Sequence, residues 1–364
     1  MRSRSRRAFV LAAGAAATVP LVGGSVGAKS KQPPRKLGFA ICGLGNLSEH
    51  QIAPALQKTE HCRLSGIITD SPEKARQWQA KYGIPAANCY TYDTMDRLAH
   101  NRDIDAIYIV TPNAQHAEQT LKAAAAGKHV LCEKPMEVSV EKCRQMIDAC
   151  QAAKVKLAIA YRCQFEPNNL ECVRIAHERE LGHLRIIEAS FCVSIGAPGQ
   201  WRLKRALSGG GALMDVGIYA LQATRYLTGE EPVLVSGVET KTDPVKFAEV
   251  DETMAWQARF PSGTLALCTA SYNLPTVTRF RGLAERGWFE LDPAFSYDGN
   301  HGRRSDGKEI ALPSGDQFAA EMDDFAQCIL EDRPSKVSGE EGLRDVRIMM
   351  AIYESARTGR IAAL

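Results

Sequence analysis

Apolar residues follow two different rhythms along the chain. From residue 37 to about 160, short and almost wholly apolar runs alternate with longer amphipathic stretches. The runs 37–43 (LGFAICG), 64–69, 106–110 (AIYIV), 129–132 and 157–161 are short and mainly apolar. That is the pattern of strands buried on both sides of a parallel sheet. Between them 72–82, 116–126 and 140–154 read as helices, and a helix-compatible stretch runs from a glycine-rich turn to Lys58. Strands alternating with helices predict βαβ units and a doubly wound sheet.

Beyond residue 161 the texture changes. The segments 184–193, 233–240, 252–260, 264–272, 278–283 and 287–291 are strand-like, and Pro261-Ser262-Gly263 is a hairpin turn between two of them. Glycines 209–211 break the chain before a helix over 212–227. The segments 317–331 and 341–358 are helical, with Gly359 as a C-terminal stop. The expectation is an α/β chain: a Rossmann domain over 37–160, then an α+β domain over 161–364 with a large, mainly antiparallel open sheet.

Composition adds to this outline mainly at the N-terminus. Arg2, Arg4, Arg6 and Arg7 precede an uncharged Ala/Val/Gly-rich run that ends at Val26-Gly27-Ala28. This has the layout of an export signal over 1–28, and Ser5-Arg6-Arg7-Ala8-Phe9-Val10 resembles the twin-arginine type, which predicts a periplasmic protein exported already folded. An uncleaved N-terminal anchor is the alternative. Residues 29–36 (KSKQPPRK) form a polar, proline-bearing arm. Without 1–28 the chain holds 41 basic and 42 acidic residues, a formal charge of −1. A near-neutral body gives no electrostatic reason to expect nucleic acid or an anionic membrane as partner. The 11 cysteines are odd in number and lack C-x-x-C spacing, which argues against a metal site or a disulfide framework. They read as small packing residues.

Gly43-Leu44-Gly45-Asn46-Leu47-Ser48 lies where a strand turns into a helix, the place of a dinucleotide fingerprint. Gly43 permits the tight turn and Gly45 a close backbone approach to pyrophosphate, while Ser48 departs from the usual Gly or Ala. At the end of the second strand, Asp70 suits the ribose hydroxyls of NAD. Thr69, Ser71 and Lys74 suit the 2′-phosphate of NADP. A third possibility is that Asp70 and Ser71 only cap the helix beginning at Pro72. On these residues NADP and NAD stay balanced.

Glu133-Lys134-Pro135 follows the strand at 129–132, where ligands of open α/β sheets sit. The alternative for Lys134 is a surface lysine paired with Glu133. Asp215 and Tyr219 are four apart, so an α-helix would put them on one face. Removing a proton from a hydroxyl needs a base, and tyrosine serves if a cation lowers its pKa from about 10. Lys134 is the expected cation. The alternatives are a helix-face carboxylate and a half-buried packing aromatic.

Taken together, Leu44-Gly45, Thr111-Pro112-Asn113 with His116, Glu133-Lys134-Pro135, Tyr161-Arg162, and Gly209–Gly211 with Asp215 and Tyr219 resemble the Gfo/Idh/MocA family. The resemblance spans most of 37–364. Tyrosine at 219, where that family usually has histidine, together with Gln200-Trp201-Arg202-Leu203, is similar to its glucose–fructose and aldose–aldose oxidoreductase branch. That resemblance implies a tightly held NADP, oxidation of one sugar at C1 to a lactone and reduction of a second sugar to the alditol. It implies Lys134 and Tyr219 as the acid–base pair with Asp215 assisting, and Lys134, Arg162, Arg202, Asp215 and Tyr219 around the sugar. It places Thr69 and Lys74 at the 2′-phosphate, and Tyr92, Glu133, Arg162, Trp201, Arg202 and Tyr297 at other cofactor-facing positions. Asp70 stands where the glucose–fructose members of that branch have glycine, which keeps NAD open. The short arm does not imply that branch's tetramer, but the family's habit of pairing through the second sheet implies at least a homodimer. The competing expectations are a sugar dehydrogenase with exchangeable cofactor and a nucleotide-loaded sugar sensor.

Overall fold

The structure, a computed structural model, describes residues 35–364. The export signal expected over 1–28 and most of the arm expected over 29–36 lie outside the described residues.

Six strands form the first sheet: β1 Leu37–Cys42, β2 Cys62–Ile68, β3 Cys89–Tyr90, β4 Ala106–Ile109, β5 His129–Glu133 and β6 Leu157–Ala160. All pair in parallel, in the order β3-β2-β1-β4-β5-β6. Every residue of β1 and of β4 is buried, because helices cover both faces. The chain starts at the centre with β1, runs outward to β3, then returns to the far side of β1 with β4. The carboxyl ends of β1 and β4 therefore mark the topological switch point, the place where ligands of open α/β sheets sit.

The second sheet has nine strands: β7 Leu184–Ser194, β8 Leu234–Thr240, β9 Thr253–Arg259, β10 Leu265–Ser271, β11 Asn273–Ala284, β12 Gly287–Leu291, β13 Gly302–Arg304, β14 Glu309–Ile310 and β15 Ala362–Ala363. Their order is β14-β13-β12-β11-β7-β10-β9-β8-β15. Only β7 and β10 pair in parallel; every other neighbouring pair is antiparallel. The hairpin between β9 and β10 turns at Gly263, whose φ of +88° glycine adopts without strain. β9 and β10 alternate buried and exposed side chains. Helices Ile218–Thr228 and Gly339–Thr358 cover one face, and the other carries the exposed Val238, Leu265 and Leu267. A shallow depression of about 620 Å³ on that open face is lined by Glu188, Gln257 and Arg279 among others, and holds none of the candidate site residues.

The C-terminal segment ties the two sheets together. Helix Gln317–Leu330 packs on the first sheet, with Phe325 edge-on to Phe39 of β1 and the Asp323 carboxylate accepting the backbone N–H groups of Glu60 and His61. Helix Gly339–Thr358 lies against both β6 and β8.

Two expected helices differ in the structure. The helix expected up to Lys58 is a wide turn at Ser48–Ile52 followed by one short helix, Ala53–Leu56. Pro54 lacks the N–H that would continue a regular ladder. The helix expected over 212–227 begins as a wide turn, Leu213–Gly217, before Ile218–Thr228. Two further elements, the helix Pro167–His177 and the 3₁₀ run Tyr92–His100, lie in stretches where the sequence predicts none; the apolar periodicity of the first is weak.

Candidate active site

The turn after β1 is built largely by backbone. Gly43 has φ +99°, and an added Cβ would sit 2.9 Å from the Val110 carbonyl oxygen and from Thr111. At Gly45 an added Cβ would meet nothing within 4 Å, so this residue borders open space at the start of a helix. Leu44 is buried beneath, whereas Asn46 is exposed and Leu47 half-buried. Ser48, the departure from the usual small residue, is fully buried, and its hydroxyl donates to the Gly43 carbonyl at 2.5 Å. The hydroxyl thus closes the turn instead of obstructing it. An exposed glycine beside helix N–H groups that lack an intrahelical acceptor fits the pyrophosphate of a dinucleotide.

At the end of β2 the polar side chains separate. Ser71 caps the helix Pro72–Tyr82 by accepting the Lys74 N–H. Asp70 does not cap that helix; its carboxylate accepts the N–H of Tyr92 at 3.0 Å, in the neighbouring loop. The Lys74 ammonium reaches back to the Leu44 carbonyl at 2.7 Å, across the mouth of the glycine turn. Thr69 is buried, and its hydroxyl accepts the Ser71 N–H. Tyr92 is half-buried, and burial pushes its phenol up to about 12.

The turn after β4 uses its polar side chains internally. The Thr111 hydroxyl donates to Gln119, and the Asn113 amide donates to the Ser208 carbonyl. His116 is fully buried, with Nε2 2.9 Å from the Thr111 carbonyl and Nδ1 3.0 Å from that of Pro135. It stitches the β4 and β5 turns together. The main chain of this turn and the half-buried Pro112, Ala114 and Gln115 remain to border a ligand.

At the end of β5 the Lys134 ammonium donates to Asp215 twice, to the main-chain carbonyl at 2.7 Å and to Oδ1 at 3.1 Å. Oδ2 of Asp215 accepts from Arg202 Nε at 3.0 Å and from the Tyr272 hydroxyl at 2.9 Å. Burial alone would raise the Asp215 pKa, but Lys134 and Arg202 outweigh it and hold the carboxyl well below the usual range. Arg202 also stacks on Trp201, 4.7 Å from the ring centre.

The Lys134 ammonium lies over the Tyr219 ring, 4.8 Å from its centre, and does not reach the phenolic oxygen. Arg162 Nε donates to that oxygen at 3.2 Å. This corrects the expectation that Lys134 is the cation at the phenol. An anionic carboxylate plus a carbonyl outcompete a neutral phenol for an ammonium. The rest of the Arg162 guanidinium is committed to Gln317 and to the carbonyls of Phe295 and Ser296, and it stacks on Tyr297. It holds Tyr219 from behind. Phe191 and Phe295 pack on the Tyr219 ring, and burial raises the phenol further than Arg162 lowers it.

The cleft therefore gathers Lys134, Arg162, Arg202, Asp215 and Tyr219, with Trp201 and Tyr297 at its margin. Asp251 supports it at longer range: its carboxylate accepts the N–H groups of Gly211 and Leu213 and the Tyr353 hydroxyl, each within 2.8 Å. This clamp sets the wide turn, so Asp215 and Tyr219 are not at ordinary α-helical i, i+4 spacing. Tyr272 and Gln317 were absent from the sequence reading. Neither belongs to a motif, and each reaches the site only once the end of β10 and the helix Gln317–Leu330 are docked.

Three family models match in succession: "Oxidoreductase family, NAD-binding Rossmann fold" over 37–161, "GFO/IDH/MocA C-terminal domain" over 170–290 and "Oxidoreductase family, C-terminal alpha/beta domain" over 284–364. The chain belongs to the Gfo/Idh/MocA family. It is 34% identical to the D-xylose 1-dehydrogenase [NADP(+)] of Haloarcula marismortui, over 88% of this chain and 91% of that one. Among solved structures it is similar to the aldose–aldose oxidoreductase of Caulobacter crescentus, in complex with glycerol, at 44% identity and a TM-score of 0.88, over 91% of this chain and all of that one. A tyrosine-to-phenylalanine mutant of the 3-ketoreductase KijD10 of Actinomadura kijaniata, in complex with TDP-benzene and NADP, shares the fold at 22% identity and a TM-score of 0.79, over 88% of this chain and 98% of that one.

Proposed function

We propose that this family member is an NADP-dependent aldose oxidoreductase that oxidises one sugar at C1 to the lactone and reduces a second to the alditol without releasing its nucleotide. The observation that carries the reading is the meeting of Tyr219, Arg162, Lys134 and Asp215 in one cleft at the carboxyl ends of β5 and β6. The overall likeness to an aldose–aldose oxidoreductase supports the two-sugar version. Lys74 at the mouth of the glycine turn, with Asp70 drawn off to Tyr92, supports NADP over NAD.

The nucleotide supplies the site that accepts and returns hydride. The protein manages the proton. With Arg162 donating to its oxygen, the Tyr219 phenol keeps its own hydrogen free, so it protonates the oxygen of a sugar carbonyl during reduction. In oxidation the phenolate left by that reduction receives the C1 hydroxyl proton, and the Arg162 guanidinium offsets part of the cost of burying it. Lys134 and Arg202 neutralise Asp215, whose remaining acceptor capacity orients sugar hydroxyls.

We further propose export to the periplasm by the leader at 1–28, with cofactor acquired beforehand, and pairing of two subunits through the open face of the nine-stranded sheet. The exposed Val238, Leu265 and Leu267 support that pairing.

The deciding experiment is to purify the protein, identify and count its bound nucleotide, and add glucose alone while following reduced-nicotinamide absorbance. Appearance of that band, and its loss on adding a second sugar, is the expected result. A second reading, a dehydrogenase with exchangeable NADP, draws on the D-xylose 1-dehydrogenase likeness. Absence of copurifying nucleotide, with activity restored by added NADP, would select it.

A further inference from the structure

Beneath the cleft, three side chains from three elements meet in the core. The Tyr108 hydroxyl on β4 lies 3.0 Å from Oε1 of Glu133, at the end of β5, and 2.7 Å from Oε1 of Glu321, on helix Gln317–Leu330. All three residues are buried. A phenol has one proton and donates it to one acceptor. The second contact sets oxygen against oxygen unless a carboxyl proton fills it, so the trio holds a protonated carboxyl.

The surroundings select which one. Burial raises the Glu133 carboxyl above its usual value, but its Oε2 accepts the Lys134 backbone N–H at 3.2 Å and the charges of Lys134 and Arg162 favour its anion, support that Glu321 lacks. Glu321 bonds only to Tyr108, and its Oε2 is buried without a partner. The groups facing Glu321 are Tyr108 from β4, Glu133 with Lys134 behind it from β5, Arg162 and Cys163 after β6, and Asp316 at the head of its own helix.

We infer that Glu321 is a neutral carboxylic acid that donates to the Tyr108 hydroxyl, which donates in turn to an ionised Glu133, and that this relay positions the turn carrying Lys134. Burial and the Glu133 charge both push the Glu321 pKa upward. Glu321 and Tyr108 are positioning residues, acting through Glu133. The protonation state is independent of the sugar chemistry; only its consequence for Lys134 rests on the function proposed above.

Infrared spectra of the full chain, labelled with carboxyl-¹³C glutamate, test the first part. At neutral pH a label-sensitive protonated-carboxyl band is expected, and Glu321→Gln removes it. Absence of the band in the unsubstituted chain, or its full persistence in E321Q, overturns the inference. Denaturant unfolding reads the same proton without any substrate. Because the folded pKa is raised, stability is lost as pH rises from about 4.3, the ordinary glutamate value, towards the folded value. Over that window the unfolding constant of the unsubstituted chain relative to E321Q is expected to grow about tenfold per pH unit. A flat ratio contradicts a raised pKa.

The positioning role is read in the loaded enzyme. Tyr108→Phe is expected to lower kcat about tenfold with sugar KM within about twofold. E321Q should keep its neutral-pH kcat and lose the alkaline fall caused by Glu321 ionisation. Full kcat in Y108F overturns the role at Lys134, while the spectra still judge the proton.

Discussion

The dinucleotide turn and the reacting cleft are made in different ways. The first is mostly main chain: Gly43, Gly45 and the helix that follows lie within a few residues of one another, and the supporting hydroxyl of Ser48 bonds back only five positions. The second is mostly side chain, drawn from afar. Lys134 meets Asp215 across 81 positions, Arg162 meets Gln317 across 155, and Tyr272 meets Asp215 across 57. A main-chain cradle asks only that no side chain intrude. A side-chain cleft asks that several long-range packings succeed at once, and it loses chemistry one atom at a time.

Substitutions that separate binding from chemistry probe this contrast. The largest effect is expected from Tyr219→Phe, which removes the proton-transfer oxygen and little else. Turnover should fall by roughly 10²–10⁴ while bound nucleotide stays stoichiometric, as nucleotide analysis alongside sugar kinetics will check. Near-normal turnover would remove Tyr219 from the proposed chemistry.

In the opposite sense, Gly43→Ala should spare the cleft and empty the cradle. Its Cβ would press on the Val110 carbonyl at a left-handed φ, a strain of about 1–3 kcal/mol. The expected outcome is loss of copurifying nucleotide with a lowered Tm. Full nucleotide content in this variant would break the comparison.

Asp215→Asn tests the charge balance of the cleft. Because Lys134 and Arg202 hold the folded Asp215 pKa down, its carboxylate contributes stability above the unfolded value of about 3.9, and that contribution fades as pH falls towards the folded value. The stability gap between the unsubstituted chain and D215N should be open at pH 7 and narrow steadily below about 4. Denaturant unfolding across that range measures it. A gap independent of pH would mean that the ion pairs contribute nothing.

The smallest effect belongs to Lys74→Ala, which deletes one charge at the mouth of the cradle. NADP retention relative to NAD should drop about tenfold, the worth of one charge-assisted hydrogen bond. Equal retention before and after would place the 2′-phosphate elsewhere.

Much of this architecture was legible in residue order. The strand runs around β1, β4 and β12 are apolar or alternating strongly enough to mark themselves, and Gly43, Gly263 and Gly359 announce turns that only glycine makes easily. What could not be read was any partnership. Asp70 could cap a helix, bind ribose or turn away, and the sequence offered no ground for choosing Tyr92. Lys134 was the obvious cation for Tyr219 because its motif stood out, whereas Arg162 reaches the phenol only after Gln317, Phe295 and Ser296 have been folded around it. Glu321 sits inside an unremarkable amphipathic helix.

Residue order by itself determined the two kinds of sheet, the glycine turn and the residue types available for proton transfer, since periodicity and backbone freedom are local properties. Tertiary structure alone decided which cation meets the phenol, which carboxyl keeps its charge and which keeps its proton. Charge states in a core depend on desolvation and on neighbours within a few ångströms, and those neighbours come from anywhere in the chain.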